Sequence, residues 1–212
     1  MDTTLSSPVM LRHGDITTED LTLVLSMRSV AWDIETSGLS WAQDSIGTCQ
    51  LHLPHHGTLM VQMEDKKVPD RLAAVLSDPD VTKVFHHAMF DLRFMAHQWQ
   101  VRPASVACTK IASKLRQPYA DNSENSLQRV LWERLGVRIY KDQQVSDWLA
   151  PQLTNDQLRY AAADVEHLLP LYRALRSDLR AHGLSDLYDR CVAHLPTRVD
   201  LEIGGFGDPF TY

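Results

Sequence analysis

The stretch SVAWDIETSGL, residues 29–39, decides how the rest of the chain reads. Ser29 to Glu35 is a short β-prone run that closes in polar, glycine-containing sequence, as a strand does when it enters a loop. Its two carboxylates, Asp33 and Glu35, stand two apart, so on a strand both emerge from one face and can share one cation. Asp-x-Glu alone is weak evidence, because the pair is common at solvated strand ends. This pair closes an apolar run, where a buried unpaired carboxylate is costly without a metal or a donor. Thr36-Ser37-Gly38-Leu39 then supplies a flexible loop with free backbone amides.

Outward from that strand, Ile46 to Leu53 and Thr58 to Met63 read as further strands joined by a histidine-rich turn, Pro54 to Gly57. Pro69 opens a helix to about Ser77, Val81 to Phe85 returns to strand, and Ala88 to Trp99 to helix. Cys108 to Arg116, Ser126 to Leu135 (closed by Gly136) and a long segment from Thr154 also read as helices. Thr154 and Gln157 form a capping-box pair, and Pro170 is expected to kink or divide the last helix. A mixed sheet early and packed helices late predict a three-layer α/β domain over residues 9–185. No internal repeat or low-complexity tract interrupts it. Residues 186–212 contain Gly204-Gly205, Gly207, Pro196 and Pro209. They read as an extended arm packed on the domain or on a partner.

The 212 residues, 44% hydrophobic and 23% charged, are an ordinary globular mix for one domain. Cys49, Cys108 and Cys191 are far apart and form no Cys-x-x-Cys pair, which suits a reducing cytosol. The start shows no charged segment followed by an apolar run, and no apolar stretch of about 18 residues could span a bilayer. A cytoplasmic protein with no membrane partner is the expectation. A formal charge of −6 excludes a general nucleic-acid sponge, since sequence-independent binding is driven by lysine and arginine. The four positive charges of two divalent cations would bring −6 to −2 and make the local field attractive to phosphate.

Two further fragments carry chemistry. Phe85-His86-His87-Ala88-Met89-Phe90-Asp91-Leu92 is a strand end entering a helix with Asp91 in its first turns. Alone, Asp91 reads as an acid beside a positive helix N-terminus. Zinc on the sequential His86 and His87 is disfavoured, because zinc takes three or four ligands in a compact pattern. In Tyr160-Ala161-Ala162-Ala163-Asp164 the tyrosine and aspartate are four apart and share one helix face, left open by the alanines.

Together the three fragments resemble the tyrosine-type DEDD 3′→5′ exonucleases, and within them the ribonuclease D group. Trp32-Asp33-Ile34-Glu35-Thr36 resembles the first motif, His87-x-x-Phe90-Asp91-Leu92 the second and Tyr160-x-x-x-Asp164 the third. Lys141 to Trp148 matches the stretch before the third motif. The resemblance extends over roughly residues 9–185 and implies a ribonuclease H-like three-layer fold, a mixed sheet flanked by helices. Position 87 is histidine where many relatives carry asparagine. Helical nucleic-acid-binding domains that usually follow in ribonuclease D are not seen here, so the chain resembles a single-domain form.

The resemblance also implies a mechanism. Asp33, Glu35, Asp91 and Asp164 would hold two divalent cations, Mg2+ or Mn2+ given oxygen-only ligands, with Asp33 bridging both. Tyr160 would orient the attacking water and, with a phenol pKa near ~10, would not act as a strong base. Thr36 backbone contacts would bind the terminal sugar. Leu39 would wedge against the last bases or anchor its loop by burial. His87 would lie beside the substrate, and Lys141 would lead the weaker phosphate candidates Arg93, Lys110, Lys114 and Arg116. Phe90 and Trp148 read as core rather than as base-stacking groups. The expected activity is hydrolysis of single-stranded nucleic acid from its 3′ end to nucleoside 5′-monophosphates, RNA before DNA. The competing readings are a DNA-directed exonuclease, a non-catalytic binding module, and a metal-binding protein built on His52, His55 and His56.

Overall fold

The structure is a computed structural model that describes residues 8–64, 67–139, 143 and 145–211. Fifteen elements follow in chain order among the described residues: β1 (Val9–His13), α1 (Thr18–Ser26), β2 (Ser29–Thr36), β3 (Ile46–Leu53), β4 (Gly57–Gln62), α2 (Asp70–Ser77), β5 (Thr82–Phe85), α3 (Ala88–Trp99), β6 (Val106–Cys108), α4 (Thr109–Arg116), α5 (Leu127–Leu135), α6 (Asn155–Glu166), α7 (Leu168–Ala181), α8 (Ser185–Ala193) and α9 (Leu195–Ile203). The strands form one mixed sheet in the order β1-β4-β3-β2-β5-β6. The β2-β3-β4 pairings are antiparallel, whereas β1-β4, β2-β5 and β5-β6 are parallel.

The alternation of β2 divides the molecule into layers. Val30, Trp32 and Ile34 enter a core that includes Leu51, Leu53, Phe85, Phe94, Leu195 and Val199. Trp32 is fully buried there, its ring stacked on Phe85 at 6.1 Å and tilted against Trp99 at 6.3 Å, and this fixes the strand's orientation. Ala31 points the other way, into a second core with Val84, Ala107, Val130 and the leucines of α7. Asp33 and Glu35 follow Ala31 onto that second face. Beside them α6 crosses β2, β3 and β4, with Trp148 and Ala161 packed on Met60. Three layers therefore result, as the sequence pattern predicts.

Several local rules explain the element boundaries. The Thr154–Gln157 capping box is formed in both directions and starts α6. His167 divides the long helical segment, and Pro170 falls in the first turn of α7, where its missing N–H is tolerated. Gly136 closes α5 in the left-handed conformation at φ 68°. The tail departs from the expected arm, since α8 and α9 are helices docked on the domain. Tyr188 of α8 is fully buried, and its hydroxyl accepts from the Cys108 N–H at 3.0 Å. Helix α9 lies on α3, joined by Arg93–Glu202 at 2.9 Å and by buried Leu195 and Val199. Amphipathic spacing in α8 and α9 outweighs the flanking glycines and prolines, which collect at the helix ends.

One close approach sets the position of α6. A Cβ on Gly47 of β3 would overlap the Trp148 carbonyl oxygen, so only glycine lets the segment before α6 lie on the sheet. Gln62 Nε2 holds the Ala150 carbonyl at 2.7 Å, and Gln157 Nε2 holds that of Asp147 at 2.9 Å. Gly47→Val is therefore expected to displace this segment and lower stability by about 1–3 kcal/mol, as overpacking does. Urea unfolding checks this, and an unchanged midpoint would show that the segment is not seated on Gly47.

Candidate active site

The site begins where β2 outruns its neighbour. The parallel register between β2 and β5 ends at Ala31↔Val84, so the backbone of β2 beyond that point lacks a strand partner on this side. The Ile34 N–H there is taken by Asp91 Oδ1 at 3.3 Å, which satisfies a buried donor and draws the start of α3 against β2. Because β2 and β5 are parallel, their C-terminal ends emerge together, and α3 delivers Asp91 to the same edge. On the other side, a register shift between Glu35 and Thr36 ends regular pairing with β3. Such irregularities re-aim the chain beside functional sites.

Helix α6 completes the arrangement. Ligand-capable oxygens of Asp33, Glu35 and Asp164 all lie within 4.8 Å of one another. Among the described residues, this is the one group of three or more His, Cys, Asp or Glu side chains close enough to share an ion. Asp91 stands outside that trio but feels the charge of Asp33; its own carboxyl is buried, whereas that of Asp33 is half-buried. Asp33 accepts a 2.8 Å hydrogen bond from Gln50 Nε2. Tyr160, one helical turn before Asp164, packs its ring 6.0 Å from that of the buried Trp148.

Electrostatics follow from crowding like charges away from water. Burial lifts Asp33 to about 7, against the lowering effect of its Gln50 and Ile34 hydrogen bonds. Burial and the charges of Asp33, Asp164 and Asp91 push Glu35 to about 10. Asp91 is likewise raised by burial and by Asp33. Desolvation, then the carboxylates of Asp164, Glu35 and Asp33, hold the Tyr160 phenol well above its ordinary value. A cluster of hard oxygen donors that resists carrying its own negative charge fits a divalent cation.

The remaining predicted residues divide. Thr36 Oγ1 donates to the Gly38 carbonyl at 2.6 Å and folds the loop after β2. Asp44 pins that loop by accepting from the Ser40 N–H at 2.8 Å. Leu39 at its tip is 83% exposed, so it is not a buried anchor. His87 is exposed at the start of α3 and stacks on Phe90, which itself packs on the core. Partial desolvation and the cations Lys110, Arg93 and Lys114 hold His87 down to about 4, so it is neutral at physiological pH. Lys141 lies outside the described residues. Arg93 and Arg116, both phosphate candidates, are instead ion-paired with Glu202 and Asp178, each at 2.9 Å. His86 is buried, its ring nitrogens reaching Thr109 Oγ1 at 2.9 Å and the Asn125 carbonyl at 3.0 Å, and it serves packing rather than a metal. Gln50 escaped sequence reasoning. Its one signal is the alternation of polar Thr48, Gln50 and His52 with Cys49, Leu51 and Leu53 along β3.

Comparison with known proteins accords with this geometry. A 3′-5′ exonuclease family model matches residues 13–180, and the chain belongs to that family. It is similar to ribonuclease D of Gluconacetobacter diazotrophicus, 36% identical over 119 residues, which are 54% of this chain and 28% of the relative. The match thus spans less than a third of that relative's length. Among solved structures the fold is similar to NrnC of Brucella melitensis, with TM-score 0.88, 35% identity, and 96% of this chain and 98% of that chain covered. The same NrnC has been solved with bound Mg2+ (34% identity, TM-score 0.86, 96% and 98% covered). It has also been solved with pGG (34% identity, TM-score 0.89, 98% and 100% covered). No helix among the described residues is long and apolar enough to cross a membrane.

The raised carboxyls carry a stability consequence. A folded-state pKa above the unfolded value gives stability that is full below the unfolded value and lost as pH rises through the folded one. For Asp33 and Glu35 that window runs from about 4 to about 7 and 10. In a chelator the melting temperature is therefore expected to fall between pH 5.5 and 8.5, and Asp33→Asn to flatten the fall. Mg2+ is expected to raise the melting temperature more at pH 8.5 than at 5.5. Thermal melts at the two pH values check both, and a chelated protein that gains stability with pH would contradict the charge crowding.

Proposed function

We propose that the protein is a metal-dependent 3′→5′ exonuclease that releases nucleoside 5′-monophosphates from single-stranded RNA 3′ ends, short oligoribonucleotides included. The observation that carries this reading is the convergence of Asp33, Glu35 and Asp164 within 4.8 Å, in a member of the 3′-5′ exonuclease family. Near end-to-end similarity to NrnC, solved with Mg2+ and with pGG, supports the cation and a short RNA-like substrate.

In this reading Asp33, Glu35, Asp91 and Asp164 would together hold two divalent cations. Cations bound there would supply water activation, neutralisation of charge on the phosphorus oxygens and stabilisation of the leaving alkoxide. The chain's own groups supply position. The raised phenol of Tyr160 stays protonated at neutral pH, so it orients the water by hydrogen bonding and does not act as the base. The loop from Thr36 to Leu39 receives the terminal nucleotide, with backbone amides toward the sugar and the exposed Leu39 against the base. Neutral His87 offers a hydrogen bond beside Lys110 and Lys114, whose positive field suits the phosphates of the strand. Lys141 is included among the substrate contacts on sequence grounds.

Digestion of 5′-labelled single-stranded RNA and DNA of one sequence, with Mg2+ or Mn2+, tests the reading. The expected result is a ladder shortening from the 3′ end, faster on RNA and abolished by Asp33→Ala. No ladder with either ion and either substrate would turn the protein into a binding module, and equal rates would remove the RNA preference.

Tyr160→Phe separates orientation from binding. Loss of the hydroxyl is expected to lower kcat by roughly 10²-fold, at the lower end of what a positioned proton-handling group contributes, with little change in KM. A KM effect alone, measured in steady-state cleavage of a short oligoribonucleotide, would assign Tyr160 to substrate packing.

A further inference from the structure

Gln50 lies opposite Asp33 in the antiparallel β2-β3 register, and Thr48 lies opposite Glu35. All four side chains therefore emerge from the face of the sheet that α6 covers. Both Thr48 and Gln50 are fully buried. The Thr48 hydroxyl donates to Gln50 Oε1 at 3.1 Å, and Gln50 Nε2 donates to Asp33 Oδ2 at 2.8 Å. Each link fixes the next. A carboxylate can only accept, so the amide must present nitrogen to Asp33, and the opposite amide end then accepts the threonine proton.

We propose that Gln50, held by Thr48, is a positioning residue that presets the Asp33 carboxylate for cation binding. The inference rests on the metal-dependent reading of the site. A buried carboxylate among like charges tends to rotate toward any available donor. The Gln50 amide engages Oδ2 from β3 and restrains rotation of the Asp33 carboxylate, one of whose oxygens lies within 4.8 Å of ligand oxygens of Glu35 and Asp164. Being neutral, the amide orients Asp33 without competing as a charge, whereas lysine at this position would neutralise the ligand itself. Hydrogen-bonded partners of ligating carboxylates act in this way, and their loss typically costs 10–100-fold in metal affinity.

Gln50→Met keeps the buried volume and removes both polar ends, and Thr48→Val keeps its shape and removes the donor. Mn2+ binding to the full chain, followed by calorimetry and by the electron paramagnetic resonance of free Mn2+, is expected to weaken 10- to 100-fold in Gln50→Met. Thr48→Val is expected to weaken it less, and Thr48→Ser to restore it. Oligonucleotide KM at saturating Mn2+ stays unchanged. If wild type binds no Mn2+, the metal reading of the site fails. If wild type binds and the folded Gln50→Met binds equally well, the positioning role is overturned. Should Gln50→Met not fold, Thr48→Val against Thr48→Ser decides the same question, and equal Mn2+ affinity in the two overturns the role.

Discussion

Mutual repulsion among Asp33, Glu35 and Asp164, whose ligand oxygens lie within 4.8 Å of one another in a half-buried site, is the constraint on which the rest of the structure depends. At neutral pH such a cluster must bind protons, bind a cation or move apart. The fold prevents the third. Trp32 locks β2 from the opposite face, the segment before α6 is seated over Gly47, and Asp91 joins α3 to the Ile34 N–H. Rigidity from two apolar cores therefore maintains an electrostatically unfavourable arrangement that a divalent cation would relieve. Strain of this kind belongs at functional sites, where the surrounding structure offsets it.

The same architecture separates acidic and basic work. The carboxylates sit on the sheet and on α6, deep in the site, while Lys110 and Lys114 on α4 surround the exposed His87. A net charge of −6 is compatible with an anionic substrate, because Lys110 and Lys114 place positive charge near His87. Arg93 and Arg116 show that a cation's sequence position does not reveal its role. Both are ion-paired with acids far along the chain, Glu202 and Asp178.

Much of the fold was legible because periodicity and capping chemistry are local. Ile46–Leu53 and Ala88–Trp99 match their expected limits, and the Thr154 capping box starts α6 where its residues predict. Strands β1 and β6 carried too little local signal, whereas α1 opens on a Thr17–Asp20 capping box that is legible in the sequence. At three residues β6 is too short for a period to register, and β1 is an edge strand defined by its pairing with β4. Helices α8 and α9 were obscured by Gly204-Gly205 and Pro196, although Tyr188 and Val199 bury well. Motif residues Asp33, Glu35 and Asp164 were visible because chemistry demands those types at those spacings. Gln50 was not, since its meaning depends on the cross-strand register with Asp33.

The central claim is that the cluster on β2 and α6 is a divalent-cation site facing an RNA 3′ end. Anomalous X-ray scattering from Mn2+ in crystals grown with a short, cleavage-resistant phosphorothioate oligoribonucleotide tests it most directly. The account predicts Mn2+ peaks bonded to Asp33, Glu35 and Asp164, with the 3′-terminal nucleotide against the loop from Thr36 to Leu39. Mn2+ peaks confined to other residues, such as the histidines at 52, 55 and 56, or a 3′ end directed away from β2, would contradict it.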